Sequence, residues 1–268
     1  MSSAANPTTD DFGPLEKYSR THRIRAPKGV GQKMALGLKD WWEARIARDS
    51  EFGDPPIYDN ADFPWVEEIE AEWRDIREEL DAIMDRRSEM PSFHEILSQV
   101  STITTDNNWK TFFLFAPGMD CEGNRRKCPK TTELVQKIPG LKTAMFSILS
   151  PGKEIPPHRG PYAGVLRYHL GLMIPEPREK CRIRIGNEIR HWEEGKSIVF
   201  DDTWNHQVWN HTEGYRVVLF VDFIRPIKGF TGWLNQKVFK LEDAAPFLRA
   251  ARERQKAWEK NFYNQMDG

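Results

Sequence analysis

Two histidines set the chemical question. His158 lies in the turn-rich run PPHRGP and His206 in FDDTWNHQVW. Pro156 and Pro157 stiffen the approach to the first histidine, and Gly160 leaves room for backbone or ligand to come close. If the second run is a strand, Asp202, Trp204, His206 and Val208 share one of its faces. A lone histidine in a turn is more often an ordinary surface residue. Two imidazoles far apart in sequence, on strands that a barrel brings together, can instead hold a borderline metal such as Fe(II).

Three further residues point the same way. Arg167 and His169 share one face of VLRYHLGL, and Arg216 opens RVVLFVDF just after the His206 run. Burying an arginine without a partner costs on the order of several kcal/mol. Either a cross-strand ion pair meets these guanidinium groups or a bound anion does, and a dicarboxylate can do so through a bidentate pair. Metal-binding histidines and an anion-binding arginine inside a β-barrel are what a 2-oxoglutarate-dependent oxygenase needs. A non-catalytic barrel that binds a small acid, or a cupin-type metalloenzyme of other chemistry, would use part of the same set.

The elements around these residues can be read from pattern. Residues 1–14 are small and polar and are expected to be disordered or loosely ordered. Residues 15–100 form a helical N-terminal region: a short basic run from Lys17 to Lys28, a helix over Gln32–Arg48, and a second helix after Pro64. That second helix carries Val66, Ile69, Trp73, Ile76, Leu80 and Ile83 on one stripe, with Asp62 near its N-cap. From residue 101 to 228, strands at Trp109–Ala116 and Lys142–Leu149 lead into strands and turns alternating about every ten residues, the spacing of a sandwich or barrel. GMDCEGNRRKCPK reads as a loop before a short helix at Thr131–Lys137. Residues 229–268 form a C-terminal extension that closes on a helix over Leu241–Phe262. All of these belong to one structural domain.

Composition narrows the class. With 39% hydrophobic and 29% charged residues the chain suits a globular protein. A formal net charge of −1 supplies no global field toward nucleic acid. Ten Trp and fifteen Phe suggest a bulky aromatic core, or a cleft with aromatic walls. Three cysteines do not make a disulfide framework, and an odd thiol suits a reducing, cytoplasmic setting. No apolar run approaches the ~20 residues of a membrane span, and MSSAANPTTDDFGP lacks the features of a signal peptide. The basic run and exposed aromatics leave peripheral membrane contact open.

The segments FPWVEEIEAEWRDIREE, CEGNRRKCPKT, FSILSPG, PPHRGP, LRYHLGL, WEEGKSIVFDDTWNHQVWN and YRVVLFVDFIRP occur in order between Phe63 and Pro226. In this they resemble the aspartyl/asparaginyl β-hydroxylase family, which includes bacterial lipid A and ornithine lipid hydroxylases. The resemblance implies a mainly β fold with flanking helices, built on a double-stranded β-helix (jelly-roll, cupin-like) core. It implies Fe(II) held by His158 and His206, with 2-oxoglutarate met by Ser147, Arg167, His169 and Arg216, the last on the distal carboxylate. It implies hydroxylation of an unactivated C–H with dioxygen, releasing succinate and CO2. The substrate would be an Asp/Asn-type amino acid or peptide residue, or a lipid acyl chain, and Arg159 could pair with an acidic group on it. The carboxylate that usually completes such an iron site sits two residues after the first histidine. Lipid A 2-hydroxylases of the family carry Asp there and the animal enzymes carry Gly; here it is Gly160. Water, Asp201 or Asp202 could fill that position, although aspartates after a strand are commonly turn residues. Cys121 and Cys128 match a cysteine pair of the animal enzymes, implying a possible disulfide. His191, in an expected turn, and His211, in a loop, are read as exposed or structural.

Overall fold

The computed structural model describes residues 29–242 and 246–264. The polar N-terminal tail and the Lys17–Lys28 run lie outside the described residues. Strands run over Ile57–Tyr58 (β1), Trp109–Phe115 (β2), Leu141–Leu149 (β3), Glu154–His158 (β4), Val165–Met173 (β5), Cys181–Ile185 (β6), Glu188–His191 (β7), Ser197–Phe200 (β8), His206–Asn210 (β9) and Arg216–Ile224 (β10). They form two antiparallel sheets, a six-stranded one of order β1-β8-β5-β10-β3-β2 and a four-stranded one of order β4-β9-β6-β7. This is the expected jelly-roll core with helices at both ends.

Strand β10 lies at the centre of the larger sheet, between β5 and β3. Its run RVVLFVDFI is apolar on both faces because both faces are covered. Val217, Leu219, Val221 and Phe223 join the helix-side core, together with Ile76 and Leu80. Val218 and Phe220 face the smaller sheet and meet Ile155, Ile183, Ile185 and Val208. Each such side chain contributes about 1.5–3 kcal/mol by leaving water. The alternation decides where the polar groups go. Arg216 and Asp222 fall on the inner face with Val218 and Phe220. Register brings Ser147 of β3 opposite Val218, and His169 and Arg167 of β5 opposite Phe220 and Asp222. Ser147, Arg167, His169 and Arg216 therefore all line the inter-sheet space.

The helices differ from expectation in detail. Helix α1 covers Val30–Asp49. The stripe after Pro64 is split at Glu72 into α2 (Trp65–Ala71) and α3 (Trp73–Met84). Asp62 is not a cap for it. It ends a 3-10 turn, Asn60–Asp62, which Asp59 caps by accepting from the Ala61 N–H at 3.0 Å; such side-chain turns compete with helix starts. After the four-residue helix α4 (Phe93–Ile96), the expected loop contains a short helix, α5 (Glu122–Lys127), before α6 (Pro129–Gln136). Two helices, α7 (Gly229–Glu242) and α8 (Pro246–Asn264), replace the single closing helix.

The possible disulfide is not formed. Cys121 and Cys128 flank α5 as free, fully buried thiols. Cys121 enters the core between the sheets and Cys128 the core beneath the helices. Burial pushes the Cys121 thiol up to about 12 and raises that of Cys128 as well. No helix of the described residues is long and apolar enough to cross a membrane.

Candidate active site

His158 ends β4 and His206 begins β9, and the two residues face each other in register. Their ring centroids are 4.0 Å apart. Each ring is fixed in the same way: His158 Nδ1 lies 2.8 Å from the Pro156 carbonyl oxygen, and His206 Nδ1 lies 2.9 Å from that of Trp204. A carbonyl can only accept, so each Nδ1 carries the proton and each Nε2 keeps its lone pair. This is the outer-shell orientation used by metal-binding histidines. Burial pushes the His158 pKa down to about 4 and lowers that of His206 well below the ordinary range, with a further contribution from His158. Both rings are thus neutral at pH 7, as ligation requires. The donor set suits Fe(II), and the two Nε2 atoms are the groups that would hold it. Among the described residues no cluster of three or more His, Cys, Asp and Glu side chains could hold a metal.

The position after His158-Arg159 is filled from across the barrel. A Cβ added at Gly160 would run into the Asp202 carboxylate, and the Gly160 N–H donates to the Asp202 carbonyl at 2.7 Å. Asp202 and Trp204 are not on the His206 strand as the alternation suggested; they sit in the turn between β8 and β9. Asp202 is 1% exposed, its Oδ1 has no hydrogen-bond partner, and burial pushes its carboxyl up to about 7 against the pull of Arg167. Asp201 takes the turn role instead: its Oδ1 accepts from the Thr203 N–H at 2.9 Å and hydroxyl at 2.6 Å, and its Oδ2 pairs with Arg225. Arg159 presents no free guanidinium to a substrate. It donates to the Thr203 carbonyl at 2.6 Å and pairs with the nearly buried Glu43 of α1 at 3.1 Å, tying that helix to the loop after His158.

The inner face of the larger sheet holds a cationic cradle with no anion of its own. Arg216 is 1% exposed, and its Nε and Nη1 meet no acceptor. The guanidinium lies 4.6 Å from the centroid of the fully buried Trp192 ring. Burial pulls its pKa down to about 10, and the one ionisable group that opposes this is the Cys181 thiol, itself pushed up to about 11. Both ring nitrogens of His169 are buried without partners, and burial, with Arg216 and Arg167 nearby, holds that ring well below its ordinary pKa. Ser147, two register pairs along from Arg216, accepts from Trp109 Nε1 at 3.0 Å, which leaves its own hydroxyl proton to donate. Native proteins rarely leave buried donors unmet, and these converge on one side of the barrel.

Arg167 differs from Arg216. It pairs with Asp222 at 2.8 Å and with Asp202 at 2.9 Å. Burial pulls its pKa down, but the two aspartates outweigh this and hold it raised. The cross-strand ion pair is the arrangement found for Arg167, and it anchors Asp202 beside Gly160. His191 closes β7 rather than lying in a turn, and His211 forms an exposed pair with Glu154.

Sequence reasoning did not find Trp192, whose run RHWEEG carries no signal of an arginine platform. It also did not find Arg184. That residue alternates outward on β6 yet is fully buried, donating to the Asn205 carbonyl at 3.0 Å and side chain at 2.6 Å and so bracing the residue before His206.

The chain is 49% identical over 264 residues to an ornithine lipid ester-linked acyl 2-hydroxylase of Rhizobium tropici, covering 97% of this chain and 94% of that protein. It is 36% identical over 166 residues to the human aspartyl/asparaginyl β-hydroxylase, covering 60% of this chain and 21% of that protein. Among solved structures, a Pseudomonas putida prolyl-4-hydroxylase aligns with a TM-score of 0.37 at 17% identity, over 59% of this chain and 88% of that one. Residues 70–226 match the aspartyl/asparaginyl β-hydroxylase family, with His158, His206 and Arg216 inside the matched span, and the chain belongs to that family.

Proposed function

We propose that this chain is an Fe(II)- and 2-oxoglutarate-dependent dioxygenase that hydroxylates an acyl chain of an amino-acid-linked lipid. The observation that carries the reading is the buried Arg216–His169 cradle, unmet by any carboxylate, on the wall of a barrel that also holds two neutral histidines with free Nε2 atoms. In this reading His158 and His206 hold the iron. Arg216 receives the distal carboxylate of 2-oxoglutarate through a charge-assisted pair, with Ser147 and His169 adding hydrogen bonds. Trp192 keeps water from the guanidinium and stiffens it from one side. Asp202 stands beside the position left open by Gly160, where a carboxylate can hold a water by hydrogen bonding. Bound Fe(II) would supply the activation of dioxygen, which no side chain here can provide. The overall balance takes one C–H, dioxygen and 2-oxoglutarate to one C–OH, succinate and CO2.

The lipid substrate is favoured by the near full-length similarity to the Rhizobium acyl hydroxylase. A peptidyl Asp or Asn substrate is the second reading, and Gly160 supports it, because the animal enzymes share that glycine. A cytoplasmic location accords with three buried, unpaired thiols. The test is to supply Fe(II), 2-oxoglutarate and either an ornithine-linked lipid or Asp/Asn peptides, and to follow succinate and a product gaining one oxygen by mass spectrometry. Oxygen on the acyl chain supports the first reading and oxygen on the peptide the second. Full turnover by a His206→Ala variant would contradict the iron assignment.

A further inference from the structure

Outside the barrel, one surface is apolar in a way that folding does not require. On α1, Met34, Leu38 and Trp41 are 71%, 68% and 62% exposed. Their spacing puts them on one stripe, while Ile46 and Glu43 of the same helix face inward. Helix α7 packs against α1 and adds Phe230 and Trp233, 69% and 53% exposed, with their rings stacked at 5.4 Å. These five are the exposed large hydrophobics of the described residues, and they all lie on two adjacent helices. Large exposed apolar patches mark interaction sites.

We infer that this α1–α7 face docks the protein on an anionic phospholipid surface, with the five side chains entering the headgroup–acyl boundary. Three observations select that occupant. The first is charge. Across residues 30–49 and 228–237 there are six Lys and Arg against three acids, and two of the acids, Glu43 and Asp49, are held by Arg159, Lys39, Arg45 and Arg48. The exposed Lys33, Lys228 and Lys237 rim the patch of a chain whose net charge is −1. The second is composition: Trp and Phe edged by lysines suit the interface, where amphipathic rings and snorkelling ammonium groups are both satisfied. The third is position. Arg159, next to His158, pairs with Glu43, and Trp42 Nε1 donates to the Tyr162 hydroxyl at 3.1 Å, which donates to Asn235 of α7 at 2.6 Å. Both helices are thereby latched to the loop that leaves the histidine pair. A bilayer under this face would present acyl chains at the histidine end of the barrel, so the inference rests on the lipid reading for its purpose, though not for its measurement.

The test is co-sedimentation of the full chain with vesicles of phosphatidylglycerol and phosphatidylcholine, and with phosphatidylcholine alone. Wild type should pellet with the anionic vesicles and weaken as salt rises. A Trp41→Ala/Trp233→Ala variant should bind at least about tenfold more weakly. Trp41→Phe/Trp233→Phe should recover binding, and both should keep the thermal unfolding midpoint of wild type. Equal binding by the alanine variant overturns the inference, as does a wild type that ignores vesicles and forms a dimer that these substitutions dissolve. Vesicle binding without acyl oxygenation leaves the docking face standing and removes the substrate reading. Oxygenation of detergent-dispersed lipid without vesicle binding does the reverse.

Discussion

Arg216 opens β10 and Arg225 lies one residue past its end, and each is 1% exposed. Arg225 is met by Asp201, by Asp54 at 3.2 Å and by the Tyr58 hydroxyl at 2.9 Å. Burial pulls its pKa down, and these partners outweigh that and hold it raised. Arg216 has an aromatic ring, a neutral thiol and two orphaned N–H groups, and its pKa is lowered. A buried charge whose partners come from the fold serves the fold. A buried charge left without one suits, in the proposed reading, a partner that arrives from solution.

The two arginines should therefore fail in opposite ways. Arg225→Met removes the cation paired with the buried Asp201 and should cost about 3–5 kcal/mol in chemical denaturation, a large share of the about 5–15 kcal/mol typical of a domain. Arg216→Met should leave stability unchanged or raise it by about 1–4 kcal/mol, while 2-oxoglutarate affinity falls about 100-fold, or 2.7 kcal/mol. The aspartates of the same turn extend the contrast. Gly160→Asp forces a second carboxylate into the space of Asp202 and should destabilise by about 1–3 kcal/mol. Adding Asp202→Gly should relieve part of that cost.

The smallest expected effect concerns a half-buried carboxyl away from the barrel. Glu259 of α8 has a buried Oε1 with no partner, and burial pushes its carboxyl up to about 7 from 4.5. The folded state holds that proton more tightly than the unfolded one. Its contribution is therefore least unfavourable below the unfolded pKa, and stability declines as pH rises toward 7. Glu259→Gln should gain about 1–2 kcal/mol at pH 8, discounted for partial exposure, and nothing at pH 4. An equal gain at both pH values would mean that packing, not charge, explains it.

How far the chain could be read in advance follows the same division. Period-two alternation in RVVLFVDF and VLRYHLGL was enough to put Arg167, His169 and Arg216 on strands, and His158 and His206 emerged facing each other. What alternation does not carry is which arginine has an acid. Arg167 found Asp222 across the strand pair and Asp202 from a turn, and Arg225 found Asp201; both turn contacts depend on tertiary closure. Gly160 was legible as a gap that water, Asp201 or Asp202 could fill, but not as one that Asp202 in particular fills, because the two residues meet only across the barrel. The helix over Gln32–Arg48 was visible, yet its outward stripe of Met34, Leu38 and Trp41 was not, since apolar spacing alone does not say which face is covered.

Calorimetric titration of 2-oxoglutarate into Mn(II)-loaded protein tests the assignment of Arg216 most directly, because binding is read without turnover. Wild type should bind in a metal-dependent way, and Arg216→Met should lose about 100-fold in affinity at undiminished folding stability. Undiminished affinity in Arg216→Met, or a loss of folding stability as large as that of Arg225→Met, would contradict it.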